Sequence, residues 1–181
     1  MACERLFHVD DMFCFNNINV DPYTATFSPR FYNHYMTMWP EMCVVHETVC
    51  GLLAGYMIGK AEGRGDEMHG HVSAVTVAPE YRRQGVAKRL MAGLERSSQS
   101  VGGYFTDLFV RSDNESAVQM YKNLDYVIYR TIKDYYGVDK PDAYDMRKPT
   151  PRDLEIGSTS LQYRDGRTPE VERGGWVDYE L

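Results

Sequence analysis

Cysteine is scarce in this chain, with four thiols among 181 residues: Cys3, Cys14, Cys43 and Cys50. They form no Cys-x-x-Cys pair, and no histidine accompanies them at zinc-finger spacing. A disulfide framework or a structural zinc site needs paired or clustered thiols. We therefore expect reduced cysteines in a cytoplasmic protein that has no metal framework.

Long hydrophobic runs are missing as well. The longest uncharged apolar stretch, residues 49–59, is too short to cross a bilayer and contains three glycines. The first residues include Glu4, Asp10 and Asp11 and lack the apolar segment of a signal peptide. The sequence thus predicts neither export nor a membrane partner.

Positive charge is also in short supply, because 20 basic residues stand against 26 acidic ones and give a net charge of −6. Nucleic-acid binders neutralise phosphates with clustered Lys and Arg, so direct nucleic-acid binding is not expected. What the chain does contain is apolar material: 43% of its residues are hydrophobic, which is enough for a folded core. The length fits one domain with roughly thirty residues to spare.

The composition changes near residue 149. Residues 149–181 carry four basic and seven acidic side chains, hence −3, and show neither helical nor strand periodicity. We predict a folded domain over residues 1–148 and an acidic, apolar-poor tail over 149–181. The tail is either flexible or docked on a surface through Trp176, Tyr179 and Leu181.

Residues 1–148 have the pattern of a mixed α/β domain. Alternating or continuous apolar segments predict strands at 5–8, 42–47, 52–60, 71–77, 104–110, 127–135 and 143–147. Helices are predicted to start at Asp10, to span 29–39 behind an N-cap at Ser28, to span 84–98, and to follow a capping box of Ser112 with Glu115. A hairpin is expected near Gly51 and a loop at 61–68.

A candidate anion site stands between the strand at 71–77 and the helix that follows it. The first turn of a helix leaves backbone N–H groups unpaired and carries partial positive charge. Gly85 allows a phosphate to approach the backbone, and basic side chains flank it; the anion-binding residues predicted here are Arg82, Arg83, Gln84, Gly85, Val86, Ala87 and Lys88. Neither a Walker loop nor a Gly-x-Gly-x-x-Gly loop is present.

This segment, with Val77, Pro79 and Tyr81 before it and Leu90 after it, resembles motif A of the GNAT acetyltransferases. In that family the loop binds the acetyl-CoA pyrophosphate through backbone amides. The downstream residues Asn114, Ala117, Val118, Tyr121, Leu124 and Tyr126 are similar to the family's next block. The resemblance implies that Asn114 contacts the cofactor arm and that Tyr121 lies near its sulfur. A spacing of seven places these two on one face of a helix.

A closer resemblance covers residues 1–148, through blocks at 11–22, 55–63, 69–74, 107–111 and 142–148. Their order and content are similar to the catalytic subunit of NatB-type N-terminal acetyltransferases. The resemblance implies an α/β (mixed α+β) GNAT fold with a central, mostly antiparallel twisted sheet, splayed at the cofactor site and flanked by about four helices. It also implies acetyl-CoA as co-substrate without a metal, and acceptors that start Met-Asp, Met-Glu, Met-Asn or Met-Gln. A large helical-repeat auxiliary subunit would form a heterodimer with the chain and attach it to ribosomes and nascent chains.

Residues on the strand at 71–77 are candidates for the chemistry. Alternation predicts His71, Ser73, Val75 and Val77 on one face. The backbone groups of Val75 and Val77 are expected to pair with the pantetheine amides. We assign Tyr121, His71 and Ser73 as catalytic candidates, with Tyr121 as the acid or orienting donor at the sulfur. His69 and His71 are not expected to bind a metal, because the spacing places no third ligand.

Acceptor binding is assigned to two loops and to this strand. The predicted substrate-binding residues are Ala25, Phe27, His71, Ser73, Ala74, Tyr135, Tyr136 and Gly137. The resembled family has Glu and Tyr where this chain has Ala25 and Phe27, which removes one carboxylate and one hydroxyl. The identity of the general base therefore stays open.

Two further questions remain open at the level of sequence. The apolar side chains crowded at 31–39 are either buried in the domain or docked on a partner. For function, the alternatives to N-terminal acetylation are a GNAT enzyme for lysine or a small amine, and a non-catalytic acyl-CoA-binding subunit. The last is disfavoured because the loop and Tyr121 are both present.

Overall fold

A computed structural model describes residues 3–15, 18–20, 24, 26–137, 140–155 and 170–171. Its strands are β1 (Cys3–Leu6), β2 (Cys43–Glu47), β3 (Leu53–Glu62), β4 (His69–Val77), β5 (Phe105–Arg111), β6 (Val127–Ile132), β7 (Ala143–Pro149) and β8 (Glu170–Val171). Its helices are α1 (Pro29–Met38), α2 (Val86–Ser100), α3 (Glu115–Lys122) and α4 (Pro151–Glu155).

The strands form one sheet in the order β1-β2-β3-β4-β5-β7-β6-β8. Neighbours are antiparallel except for the pairs β4–β5 and β6–β8, which are parallel. The predicted fold class, a mostly antiparallel sheet flanked by four helices, is confirmed. Among the described residues, no helix is both long and apolar enough to span a membrane.

Two apolar cores lie on opposite faces of the sheet. The larger joins β3, β4, β5 and β7 to α2 and α3 through residues such as Met57, Leu90, Leu94 and Leu108. The smaller is rich in aromatic residues and joins the sheet to α1. We refer to these two sides as the α2 face and the α1 face. Because apolar cores cover both faces, the centre of the sheet is buried and the side chains of its strands are held in fixed positions.

Helix α1 begins at the predicted residue and ends one residue before the predicted end. The Ser28 hydroxyl accepts the Phe31 N–H at the N-terminus, and Pro40 follows the last turn. Its aromatic residues Phe31, Tyr32 and Tyr35 are buried against the sheet, whereas Met38 is 56% exposed. Burial in the domain therefore accounts for the aromatic residues, and exposed apolar surface remains at the helix end.

Helix α2 spans Val86–Ser100 rather than 84–98, and two other predicted helix starts are wrong. The helix expected from Asp10 is a 3-10 turn over Val9–Phe13, in which the Asp11 carboxylate accepts the His8 N–H and pairs with Arg5. Helix α3 is capped by Asn114, whose side chain accepts the Ala117 N–H at 3.2 Å, and not by Ser112. The N–H of Ser112 instead donates to the Asp142 carbonyl, so this residue still belongs to the sheet region.

The start of the predicted tail is anchored to the domain. The hydroxyl of Thr150 donates to the carbonyls of Gly103 and Tyr104 at 2.9 Å, and α4 follows directly. Residues 170–171 add β8 beside β6. The sequence predicts neither of these elements, because each is too short for a periodic pattern; Trp176, Tyr179 and Leu181 lie outside the described residues.

Candidate active site

The N-terminus of α2 has the geometry of an anion site. Gly85 is the N-cap, with φ of +78°, and no side chain caps the helix there. The first intrahelical bond runs from Arg89 N–H to Gly85 C=O. Among the described residues, no acceptor meets the N–H groups of Val86, Ala87 and Lys88, so they are available to an anion.

Space above this turn is open. A Cβ built on Gly85 meets no atom within 4 Å, so a ligand can approach the backbone closely. Arg83 also has a positive φ, 62°, which turns the chain into the helix. The side chains of Arg83, Gln84 and Lys88 are exposed around the loop, while Val86 is buried beneath it. The predicted cradle is therefore assembled, with backbone donors inside and basic groups outside.

Arg82 connects this loop to the end of β4. Its Nε donates to the Val77 carbonyl at 3.1 Å. The Gln84 side chain makes a similar local bond, to the Glu80 carbonyl at 3.1 Å. Both side chains thus hold the loop in shape, a contribution that the charge-based prediction did not include.

The sheet opens beside this loop. Pairing of β4 with β5 runs from His69–Phe105 to Val72–Leu108 and stops there, although β4 continues to Val77 and β5 to Arg111. Residues 73–77 therefore keep β3 as their neighbour and present the other edge of the strand to the opening. An unpaired strand edge offers N–H and C=O groups to an extended ligand with amides of its own.

A β-bulge changes which side chains face each way, and the predicted alternation is wrong. The β3–β4 register shifts between Ile58 and Gly59, where Val72 pairs with Gly59 and Ala74 with Ile58, so that Ser73 is the extra residue. Beyond it, Val75 and Val77 pack into the α2 core, whereas Ser73 contacts α1. His71 and Ser73 therefore lie on the α1 face, opposite Val75 and Val77.

His71 is oriented by a buried carboxylate on β5. Its Nδ1 lies 2.8 Å from Oδ1 of Asp107, a residue 4% exposed. Burial alone would favour the protonated acid, but His71, His69 and Arg147 outweigh it and hold the pKa of Asp107 below its ordinary value. An ionised carboxylate only accepts hydrogen bonds, so Nδ1 carries the proton and Nε2 is left as the free nitrogen.

Ser73 is joined to helix α1. Its hydroxyl donates to the Tyr35 hydroxyl at 3.0 Å. Its neighbour Ala74 packs into the α1 core, and Thr76 bonds to the Ile18 carbonyl at 3.2 Å and to the Thr24 hydroxyl at 3.1 Å. The bulged strand is therefore fixed from the α1 side by a row of short polar contacts.

Aromatic residues connect His71 to the turn after β6. The His71 ring lies 5.3 Å from that of Phe109, which lies 5.0 Å from Tyr135, and Tyr135 lies 4.9 Å from Tyr136. Strand β6 ends at Ile132, three residues before the predicted end, because Asp134 takes a positive φ of 54° and Gly137 one of 116°. Tyr135, Tyr136 and Gly137 thus form a turn that faces the site.

Tyr121 lies on α3, on the opposite side of the opening. It is almost completely buried, and burial raises the pKa of its hydroxyl, which therefore stays protonated at neutral pH. Burial also raises the pKa of Tyr136, so this hydroxyl stays protonated as well. Asn114 is the cap of this helix rather than part of it, so the predicted common helical face does not apply.

The loop before α1 is described only in part. Phe27 stacks on Phe31 at 4.0 Å and so packs on the start of α1. Ala25 lies outside the described residues.

Three residues that position the site were not among the predicted ones. Asp107 orients His71, Phe109 separates His71 from Tyr135, and Tyr35 bonds to Ser73. Asp107 and Phe109 belong to one of the blocks that carry the family resemblance, and this was the available signal for them. Nothing local in the sequence pairs Tyr35 with a strand 38 residues away.

The anion loop, the splayed β4–β5 pair and the sheet order define the class of this protein. A family model described as the acetyltransferase (GNAT) family matches residues 7–126, more than half of the chain. The chain therefore belongs to the GNAT acetyltransferases, as its sequence resemblance predicts.

Curated relatives and solved structures narrow the class. The "N-terminal acetyltransferase B complex catalytic subunit naa20" of Schizosaccharomyces pombe is 47% identical over 85% of this chain and 88% of its own. Naa20 of Chaetomium thermophilum, solved with a bisubstrate analogue, superposes with a TM-score of 0.84, at 35% identity over 96% of both chains. A NatB acetyltransferase complex bound to CoA and MES contains a chain with a TM-score of 0.76, at 37% identity over 82% of this chain and 99% of that one. Within its family, this protein is an N-terminal acetyltransferase of the NatB catalytic-subunit group.

Proposed function

We propose that this chain transfers the acetyl group of acetyl-CoA to the α-amine of proteins that start Met-Asp, Met-Glu, Met-Asn or Met-Gln. The observation that carries the proposal is the His71–Asp107 pair, which lies on the α1 face next to the sheet opening and beside an aromatic turn. The similarity to NatB catalytic subunits supports the same assignment.

The cofactor assignment depends on the α2 loop and the free edge of β4. The N–H groups of Val86, Ala87 and Lys88 would bind the pyrophosphate, with Arg83 adding positive charge. The pantetheine arm would lie along residues 73–77 and carry the thioester towards Tyr121 and His71. Binding of CoA by the NatB complex whose chain superposes on this one supports this path.

The transfer itself requires a neutral amine. An α-amine has an ordinary pKa of about 7.7–8.0, so a modest base is sufficient. The amine nitrogen attacks the thioester carbonyl, the C–N bond forms, the C–S bond breaks, and CoA leaves as a thiolate that takes up a proton. His71 Nε2 accepts the amine proton, directly or through one water. Tyr121, whose pKa is raised by burial, acts as a hydrogen-bond donor to the sulfur, because it is a weaker acid than a CoA thiol.

Acceptor selection would come from the α1 face. The aromatic rings of Phe109, Tyr135 and Tyr136 offer an apolar wall for the initiator methionine. His71 and Ser73 would meet the carboxylate or amide of the second residue.

A partner is proposed on the surface near the N-terminus. Several apolar side chains there are exposed, namely Leu6, Val9, Phe13 (84%), Val20 and Met38. Exposed apolar groups of this kind favour an interface. We propose that a large helical-repeat auxiliary subunit binds the chain as a heterodimer in the cytoplasm and brings it to ribosomes and nascent chains. No direct contact with nucleic acid or membrane is proposed.

The test is a rate comparison with defined peptides. The chain, with and without its auxiliary subunit, is incubated with acetyl-CoA and peptides that start Met-Asp, Ser-Glu or Met-Leu. A fourth peptide has a blocked N-terminus and an internal lysine. Preference for Met-Asp supports the proposal; equal rates on the first three would refute the specificity, and turnover of the fourth would favour a lysine acetyltransferase.

A further inference from the structure

The long β3–β4 hairpin brings two histidines and a carboxylate together. β3 continues to Glu62 and β4 begins at His69, and these two residues are paired across the hairpin. A ring nitrogen of His69, a ring nitrogen of His71 and a carboxylate oxygen of Glu62 all lie within 4.8 Å of one another. The sequence spacing alone supplied two ligands, and the hairpin register supplies the third.

Both imidazoles have the hydrogen-bonding pattern of metal ligands. His69 Nδ1 lies 2.6 Å from the Glu67 carbonyl, and His71 Nδ1 lies 2.8 Å from Asp107. A carbonyl and an ionised carboxylate only accept, so each Nδ1 carries a proton when its ring is neutral. Each Nε2 then has a free lone pair, and the acceptor behind it fixes the ring, as in carboxylate–histidine–zinc sites.

The surroundings also favour a cation. Nε2 of His69 lies 3.6 Å from Oδ1 of Asp107, and this negative oxygen stabilises a positive charge on or beside the ring. The His69 ring is stacked on Phe105 at 4.5 Å, which holds it in place. Glu62 is half-exposed and pairs with Lys60 through Oε2 at 2.8 Å. Because it is half-exposed, this side chain can reorient and exchange the Lys60 ammonium for a metal ion; the ligand atoms of a tetrahedral site lie roughly 3.3 Å apart.

We propose that Glu62, His69 and His71 form a binding site for a divalent transition metal, with Zn²⁺ as the ion that best fits two imidazoles and one carboxylate. Nitrogen donors disfavour Mg²⁺ and Ca²⁺, which prefer oxygen ligands. Occupancy engages the imidazole of His71 and removes it from acetyl transfer, so the metal is an inhibitor rather than a cofactor. The inhibitory part depends on the role proposed for His71; the binding part does not.

Binding is measured by titrating Co²⁺ and Zn²⁺ into the full chain, with calorimetry and the visible absorption of Co²⁺ as readouts. Cys3, Cys14 and Cys50 are exposed thiols that also bind these ions, so all three are changed to Ser in every variant. One equivalent of metal with a tetrahedral Co²⁺ spectrum is expected. Glu62→Gln and His69→Gln should each weaken binding by about tenfold or more.

His34→Gln is the matched control, because His34 is an exposed histidine on α1 outside the hairpin. It should leave the affinity and the spectrum unchanged. Absence of a tetrahedral Co²⁺ spectrum, or equal binding by Glu62→Gln and the parent, would overturn the site. Mg²⁺ at the same concentration should give no heat of binding.

Inhibition is tested with the auxiliary-subunit complex and a Met-Asp peptide, and the acetylated peptide is quantified by mass spectrometry. Zn²⁺ should inhibit the parent, and the dose for half inhibition should rise about tenfold in Glu62→Gln, whose rate without metal stays the same. Metal binding without inhibition would refute the regulatory role of the site but not its existence. Absence of acetylation in all variants without metal would instead contradict the proposed function.

Discussion

The two sides of the sheet opening are built in different ways. On the α2 side, one contiguous segment, residues 82–88, supplies a helix N-terminus, open space above Gly85 and basic side chains. On the α1 side, the groups come from β4, β5, α1 and the turn after β6, and they meet only in the folded chain. A site made of backbone N–H groups is determined by one local segment. A site made of side chains from several elements depends on how the strands are aligned with one another.

This difference decides how each side responds to substitution. Backbone N–H groups at a helix start tolerate most side-chain changes but not a change that blocks or repels the anion. The α1 side depends on particular side chains, and on the Asp107 carboxylate that orients His71. Substitutions on the two sides should therefore change different kinetic constants.

The largest effect is expected from Gly85→Asp. The new carboxylate repels the pyrophosphate and displaces it from the helix N–H groups. Loss of two hydrogen bonds to a charged group, at about 2 kcal/mol each, corresponds to roughly 1,000-fold weaker binding. The KM for acetyl-CoA, measured at saturating Met-Asp peptide, should rise by a factor of that order.

Gly65→Asp is the control for this prediction. Gly65 also has a positive φ, 58°, and a Cβ there likewise meets nothing within 4 Å, so the backbone strain is matched. Its KM for acetyl-CoA should stay within twofold of the parent. A similar rise in both variants would indicate strain or misfolding rather than loss of the anion site.

The next effect concerns His71 and Asp107, tested together in a double-mutant cycle. His71→Ala should lower kcat by about 100-fold, as expected for loss of a base. Asp107→Asn, in which the positioning carboxylate becomes an amide, should lower it by about tenfold and change the pH profile of kcat. The double variant should match His71→Ala, because Asp107 acts through that ring. Additive losses in the cycle would contradict this arrangement.

Tyr121→Phe should lower kcat on the order of tenfold with little change in the KM for acetyl-CoA. The substitution removes a single hydrogen-bond donor and keeps the packing of the ring against Tyr126. Tyr126→Phe is the matched control, since its hydroxyl bonds to Thr106 and Glu95 on the α2 face. Full turnover by Tyr121→Phe would reduce this residue to a packing role.

Ser73→Ala should have the smallest effect on the rate, less than about threefold, because its hydroxyl is already bonded to Tyr35. Loss of this bond should lower the free energy of unfolding by about 1 kcal/mol. Urea denaturation and the kcat for a Met-Asp peptide measure the two quantities. A large fall in kcat with unchanged stability would assign Ser73 to the chemistry after all.

Acid stability separates the two sides in another way. The pKa of Asp107 is lower in the folded chain than its ordinary 3.8, so its stabilising contribution is complete above pH 3.8 and is lost as the pH falls through the folded value. Asp107→Asn should therefore show a smaller loss of unfolding free energy below pH 3.8 than the parent does. Gly85→Ala, on the cofactor side, should lose as much unfolding free energy below pH 3.8 as the parent does. A smaller loss in this variant would contradict the assignment of the effect to Asp107.

Sequence was sufficient for most strands, for helices α1 and α2 and for the anion loop, because residue type and spacing are local there. It was insufficient for the acceptor side, since one bulged residue, Ser73, reverses the faces that simple alternation predicts. The cap of α3 was misplaced by two residues because Ser112 and Asn114 are both good N-caps, and the bond from Ser112 to Asp142 decides between them. Long-range pairs such as His71–Asp107 and Glu62–His69 follow from strand register, which the sequence does not state.

The most direct test of this division is a calorimetric titration of CoA into three chains: the parent, Gly85→Asp and His71→Ala. The two-sided site predicts the parent Kd for His71→Ala and a Kd on the order of 1,000-fold higher for Gly85→Asp. Equal weakening in both variants, or unchanged affinity in Gly85→Asp, would contradict the separation of the cofactor side from the acceptor side.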